Sequence, residues 1–259
     1  MVFFKRGLFW AGCALLMLTV QARADALVQV TTRGDQSISY WWMPAERATA
    51  TVLLLSGGSG GIGWRQGQPL SDNFLIRSRD LFRAEGFNVA LLGNPSDKRA
   101  MDDAWRTSEM HRADVAAVLQ SIRAQGADQP LWLVGTSRGT ISAAALAIAL
   151  PDQVAGVVLT SSVAGFSVPL AVQKQAIDRL EMPVLVYHHR DDECRITLAR
   201  DAEWIFKGLN RARVKKFWVV DGGENPTGNP CEALHWHGFI GMEARAVKDL
   251  GGWIRQPAP

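Results

Sequence analysis

The sequence predicts an α/β chain with a mostly parallel central sheet of about eight strands flanked by helices. Three observations lead there. Strand-like and helix-like segments alternate along residues 25–259, the pattern of right-handed βαβ units. Apolar runs such as TVLLL at 51–55 and LWLV at 131–134 are continuous rather than alternating, as in strands covered on both faces. The 259 residues are 47% hydrophobic and 20% charged, enough apolar mass for one good-sized core. This composition excludes a disordered chain, a collagen-like repeat and a cysteine-dense mini-scaffold.

Each element has a local reason. Residues 27–32 (LVQVTT) and 37–42 (SISYWW) read as a hairpin around the turn at 33–36. The apolar run 51–55 reads as a buried strand and ends in SGGSGG. Residues 72–85 carry Phe74, Leu75, Leu81 and Phe82 at helical spacing, with Gly86 as the stop. A strand at 88–92 comes next. Over 108–125, Met110, Val115, Val118, Leu119 and Ile122 share one helical stripe, and Gly126 ends it. The strand 131–134 runs into a small-residue helix at 138–150, closed by Pro151. Strands at 156–160, 184–187 and 214–220 and helices at 198–209 and 239–254 complete the chain. The main insertion, 163–182, has 20 residues, room for one short helix but not for a multi-helix lid. No second domain, repeat or low-complexity linker is visible.

The N-terminus reads as a secretory signal. Lys5 and Arg6 precede an apolar stretch from Leu8 to Val20, and Ala22-Arg23-Ala24 offers small residues for cleavage after Ala24. About 13 apolar residues fall short of the roughly 20 that span a bilayer. An uncleaved anchor is therefore the weaker reading. A lipidated Cys13 is also disfavoured, because Trp10 stands where a small aliphatic residue is wanted and the apolar run continues past the cysteine. The expected mature chain is a single domain at 25–259, exported to the periplasm or beyond, with no stable membrane insertion.

The formal charge of +3 belongs to the precursor. Lys5, Arg6 and Arg23 leave with the leader, and 25 basic residues then face 25 acidic ones. No basic patch argues for a nucleic-acid partner. Cys194 and Cys231 remain as an even pair in an oxidising compartment and are expected to form a disulfide. They stand 37 apart without CxxC or HxxxH spacing, a poor metal-ligand pattern. No metal or cofactor is expected.

Gly135-Thr136-Ser137-Arg138-Gly139 is a GxSxG motif. The pattern alone is cheap. Here it follows a buried strand and opens a helix, the context a nucleophile elbow requires. A serine hydroxyl needs a general base, and the elbow layout puts that base late, after an acid. His237, followed by Gly238 before the last helix, is favoured over its neighbour His235. His111 lies too early, and packing accounts for it. His188 and His189 precede the acid segment and read as architectural. The acid comes from Asp191-Asp192-Glu193 at a strand end, with Asp192 preferred, Asp191 as the alternative and Glu193 too far along. Oxyanion donors are expected from the N–H groups of Arg138, after the serine, and of Gly58 and Ser59 in the Gly-rich loop. That loop lacks the Lys-Ser/Thr ending and the GxGxxG spacing of a nucleotide cradle.

With these residues placed, the chain resembles the α/β-hydrolase superfamily over essentially its whole mature length. Ser137, Asp192 and His237 match the family order Ser…Asp…His. HHRDDEC aligns with the family's strand-end HGxxD, which supports Asp192, with His189 where glycine is usual. Ser56 stands where many members carry histidine. The short insertion is similar to that of lidless esterases and dienelactone hydrolases, although the latter use cysteine where this chain has Ser137. The resemblance implies an α/β-hydrolase fold without a large lid. It also implies an exported serine hydrolase that cleaves an ester, thioester or lactone of a small-molecule or acyl substrate. An acyltransferase on the same residues and an inactive binding scaffold are the alternatives. Trp41, Trp42, Trp64 and Trp105 are read first as packing residues. Arg65 and Arg138 are candidates to meet an anionic group.

Overall fold

The computed structural model describes residues 1–2 and 24–259. The leader read at 1–24, Cys13 included, therefore lies almost wholly outside the described residues. The strands are β1 (Ala26–Thr31), β2 (Ser37–Met43), β3 (Ala50–Leu55), β4 (Trp64–Arg65), β5 (Gln68–Pro69), β6 (Phe87–Pro95), β7 (Leu131–Thr136), β8 (Gly156–Thr160), β9 (Val184–His189) and β10 (Lys215–Val220). The helices are α1 (Phe74–Arg77), α2 (Arg79–Ala84), α3 (Asp103–Arg106), α4 (Glu109–Ala124), α5 (Gly139–Ala149), α6 (Ala199–Gly208) and α7 (Glu243–Arg255).

Eight strands form one sheet in the order β1-β2-β6-β3-β7-β8-β9-β10. β1–β2 and β2–β6 pair antiparallel, and every other neighbouring pair is parallel. Side chains alternate between two cores. Leu53 and Leu55 of β3 join Leu131 and Leu133 of β7 on the face covered by α4, α5 and α6. Val52, Leu54, Trp132 and Val134 point the other way, to the face covered by α1, α2 and α7. Both faces of the central strands are thus buried, which is why their sequences read as unbroken apolar runs. The chain runs from β3 to β6 on one side, then returns to β7 on the other. The order reverses beside β3, and in open α/β sheets such a reversal opens a crevice at the strand C-termini.

The structure corrects several sequence expectations. Residues 72–85 form two short helices rather than one, because Ser78 caps α1 and begins α2. α3 and the small β4–β5 hairpin were not anticipated. The insertion 163–182, with room for no multi-helix lid, contains two 3₁₀ turns, Val172–Lys174 and Ile177–Arg179. The last helix starts at Glu243, not Phe239. Phe239 takes a left-handed φ of 56° and ends a 3₁₀ turn over Trp236–Gly238, so the histidine loop is longer than its sequence implied. No described helix is long and apolar enough to cross a membrane.

His111 shows what burial does to a titratable side chain. It lies on α4 fully enclosed, and neither ring nitrogen has a partner among the described residues. Burial, and then the nearby Arg106 cation, push its pKa from 6.5 down to about 3. The folded state keeps this ring neutral where the unfolded chain would protonate it. Stability therefore falls as pH drops below about 6.5. His111→Leu removes the orphaned nitrogens at similar volume. Thermal melts at pH 7 and pH 5 should show a raised melting temperature for the variant and a smaller loss between the two pH values than in the wild type.

Candidate active site

Ser137 occupies the turn between β7 and α5 with φ at +53°, a strained region for a non-glycine residue. Its N–H donates to Thr160 O at 3.1 Å. The turn closes this tightly because its neighbours are glycines. A Cβ on Gly135 would sit 2.6 Å from the Gly139 carbonyl oxygen, and one on Gly139 would run into the Leu55 carbonyl oxygen of β3. The loop after β3 passes so near that a Cβ on Gly57 would lie 2.7 Å from the Ser137 Cβ. Ser137, the Gly-rich loop and His237 line one cavity of about 520 Å³.

Asp192 sits at the end of β9, fully buried, with three donors. Its Oδ1 accepts the Cys194 N–H at 3.0 Å, and its Oδ2 accepts the Thr197 hydroxyl at 2.9 Å. The same Oδ2 lies 3.0 Å from His237 Nδ1. A carboxylate only accepts, so the ring proton resides on Nδ1 and Nε2 keeps its lone pair. Asp191 and Glu193 are exposed on either side, and Asp192 is the acid of this segment that meets the histidine. His235 stands one turn away, only partly buried, with an unpartnered Nδ1.

Residues that sequence reading passed over hold this arrangement. The Thr197 hydroxyl also approaches His237 Nδ1 at 3.1 Å, so it bridges acid and histidine. Ser161 donates its hydroxyl to the His237 carbonyl at 2.8 Å. Arg77 of α1 donates to the Gly238 carbonyl at 2.5 Å and pairs with Glu243 at 2.9 Å. Ser161 follows β8 in a stretch, Ser161-Ser162-Val163-Ala164-Gly165, that carries no recognisable motif. Thr197 and Arg77 carry no motif. The two strand-end histidines are architectural. His188 Nε2 accepts the Ser162 N–H at 2.9 Å, and burial pushes its pKa down to about 4. His189 binds the Gly222 carbonyl at 2.9 Å and stacks on Trp236 with centroids 5.0 Å apart.

The Gly-rich loop turns its carbonyls away from Ser137. Gly57 O accepts the Gly60 N–H at 3.0 Å, Gly58 O accepts from Arg106 at 3.2 Å, Ser59 O accepts the Met101 N–H at 2.9 Å, and Gly61 O accepts the Ser56 hydroxyl at 2.8 Å. Among the described residues, the N–H groups of Gly58, Ser59 and Arg138 have no partner. The Arg138 Nε lies 3.4 Å from Asp103 Oδ1, an ion pair without a hydrogen bond, whereas Arg65 lines the cavity. Of the four tryptophans, Trp42 and Trp105 are buried and Trp41 packs on Trp64 at 5.3 Å. None of them lines the cavity. Among the described residues, no group of three His, Cys, Asp or Glu side chains is placed to hold a metal ion.

Cys194 and Cys231 are bonded, with Cα atoms 4.6 Å apart. The bond ties the acid loop to the segment that leads into His237, and Cys231 lines the cavity.

The sequence model of the alpha/beta hydrolase fold matches residues 50–239, and the chain belongs to that family. The comparison with curated proteins gives no match. Solved structures share the fold at low identity. An esterase from Pyrococcus furiosus superposes with a TM-score of 0.65 at 13% identity, covering 90% of this chain and 92% of its own. A lidless α/β serine hydrolase from Xanthomonas campestris gives 0.61 at 17% identity, covering 91% and 96%. A soluble variant of monoglyceride lipase from Saccharomyces cerevisiae gives 0.62 at 14%, covering 93% and 98%.

Opening the disulfide frees the two loops that carry Asp192 and His237. A loop of this separation, 37 residues, is worth about 3–4 kcal/mol in the chain-entropy model. Replacing both cysteines by alanine should lower the melting temperature by several degrees. If the loops hold the site together, catalytic turnover should fall at temperatures where circular dichroism still reports a folded protein.

Proposed function

We propose that the protein is an exported serine hydrolase that cleaves carboxylic esters, thioesters or lactones through an acyl-enzyme on Ser137. The observation that carries this reading is the Asp192–His237 pair, at 3.0 Å, opening onto the cavity that holds the strained Ser137. His237 Nε2 takes the hydroxyl proton as Oγ attacks the carbonyl carbon. Asp192 stabilises the imidazolium that forms. The carbonyl oxygen gathers negative charge against the free N–H groups of Gly58, Ser59 and Arg138. The tetrahedral intermediate collapses, and the leaving alcohol or thiol receives the proton from His237. Water, deprotonated by His237, then attacks the acyl-enzyme and releases the acid.

Hydrolysis is favoured over acyl transfer because, among the described residues, no lid covers the cavity, so water has access to the acyl-enzyme. Cleavage after Ala24 and a mature chain of 25–259 complete the reading. The disulfide supports an oxidising compartment.

The nature of the walls bears on the substrate. Leu70, Phe74, Ala233 and the disulfide sulfur of Cys231 are their apolar groups, while Arg65, Asp72 and Glu232 contribute charge and the rest is glycine, serine and other polar groups. Such walls bury little of a long alkyl chain, which gains about 0.8 kcal/mol per CH₂ only where it leaves water. A panel of nitrophenyl esters should therefore show kcat/KM level or falling beyond butyrate. A steady rise to decanoate would contradict a compact, polar acyl site.

Ser137→Ala is expected to abolish labelling by a fluorophosphonate probe and to lower kcat by roughly 10³-fold or more with the fold intact. His237→Ala should match it, while His235→Ala retains most activity. Asp192→Asn should cost far more than Asp191→Asn. Full turnover in a folded Ser137→Ala protein would end this reading.

A further inference from the structure

Arg106, the last residue of α3, is the largest fully buried side chain among the described residues, only 1% exposed. A buried cation is expensive unless a carboxylate pairs with it. Arg106 has no such partner among the described residues. Asp103 and Asp102 act on it only through space, and Asp103 is already paired with Arg138. Burial pulls the Arg106 pKa down to about 10, so it stays a cation at neutral pH. An interior cation without a salt bridge calls for an explanation in what it touches.

It touches the Gly-rich loop and the helix that the Ser137 turn opens. One Nη donates to the Gly58 carbonyl at 3.2 Å, and the other donates to the Ser142 hydroxyl of α5, itself fully buried, at 3.1 Å. Its Nε has no partner. In a planar trans peptide the C=O and the following N–H point in opposite directions. Drawing the Gly58 carbonyl onto Arg106 therefore turns the Ser59 N–H the other way. Gly58 and Ser59 line the cavity and Arg106 does not, so the cavity lies on that other side. The guanidinium also sits at the negative end of this peptide dipole, with its charge aligned to the dipole's field.

We propose that Arg106 is a positioning residue for the oxyanion site. It locks the Gly58–Ser59 peptide with its N–H toward the cavity and places positive charge behind that donor. The tetrahedral intermediate is thereby stabilised more than the neutral ester. The contact with Ser142 ties this loop to the helix that Ser137 opens, so the donors on the two walls keep their spacing. The inference rests on Ser137 being the nucleophile.

The test compares wild type, Arg106→Met and Arg106→Lys, each normalised to the number of sites titrated by a fluorophosphonate probe. Nitrophenyl acetate supplies kcat and KM, and phenylboronic acid, which becomes an anionic tetrahedral adduct on the serine, supplies a mimic of the intermediate. Arg106→Met should lose about 10²-fold in kcat per titrated site, the scale of losing one oxyanion donor. Its KM should stay within about threefold, and its boronate affinity should fall in parallel with kcat. Arg106→Lys, which keeps the charge but only one of the two donated bonds, should fall between Arg106→Met and wild type, with kcat and boronate affinity each lowered about threefold to tenfold.

A merely structural role would lower the titrated fraction or the melting temperature while leaving kcat per site and boronate affinity unchanged, and that result overturns the proposal. Should Arg106→Met fail to fold, Arg106→Lys decides alone. A parallel drop in kcat and boronate affinity at constant KM supports the inference, and wild-type values for both refute it. Failure of the underlying reading looks different. Wild type would then take up no probe, and Ser137→Ala would retain turnover.

Discussion

The buried carboxylate of Asp192 is the constraint around which this site is organised. An anion removed from water must be surrounded by donors or it unfolds its own neighbourhood. Its three donors come from Cys194, Thr197 and His237. The first two fold the acid loop back on itself. The third lies 45 residues further on and pulls in the loop between β10 and α7. Satisfying one carboxylate thus joins two segments at the C-terminal edge of the sheet. The disulfide, Ser161 and the His189–Trp236 stack brace the same junction from other directions.

The rest of the architecture delivers groups to that edge. Parallel strands share a direction, so β3, β7, β8 and β9 all end there and each contributes one part. β3 brings the Gly-rich loop, β7 the serine turn, β8 the hydroxyl that fixes the His237 carbonyl, and β9 the acid. The reversal of strand order beside β3 lets the first two lie side by side, with glycine at each close approach. Strain at Ser137 is sustained by the two cores that clamp β7 from both faces.

Polar groups in the interior divide into those that the site uses and those that it does not. Thr197, Ser161 and Arg77 have hydrogen-bond partners at the junction of acid and histidine. Arg106 faces the Gly-rich loop. His188 is enclosed but hydrogen-bonded at Nε2, so its neutral form has a structural purpose. His111 is enclosed without partners, and its burial carries a cost in stability that nothing at the cavity repays.

The sequence determined the fold class, the strand–helix order and the principal residues of the candidate site. These features are local. A buried parallel strand must be continuously apolar, an elbow needs glycines two residues either side of its serine, and a helix ends at glycine or proline. Ser137, Asp192, His237 and the Cys194–Cys231 pair were legible because chain order and spacing already constrain them. Tertiary structure alone decided what depends on distant contacts. The left-handed Phe239, buried in one of the two cores, and the late start of α7 after it depend on packing rather than propensity. Burial, a property of the assembled sheet edge, then separates Asp192, which the sequence already preferred, from its exposed neighbours. Thr197 and Arg106 carry no motif, because a threonine hydroxyl or an arginine acquires a purpose only when folding brings a carboxylate or a loop carbonyl within hydrogen-bond reach.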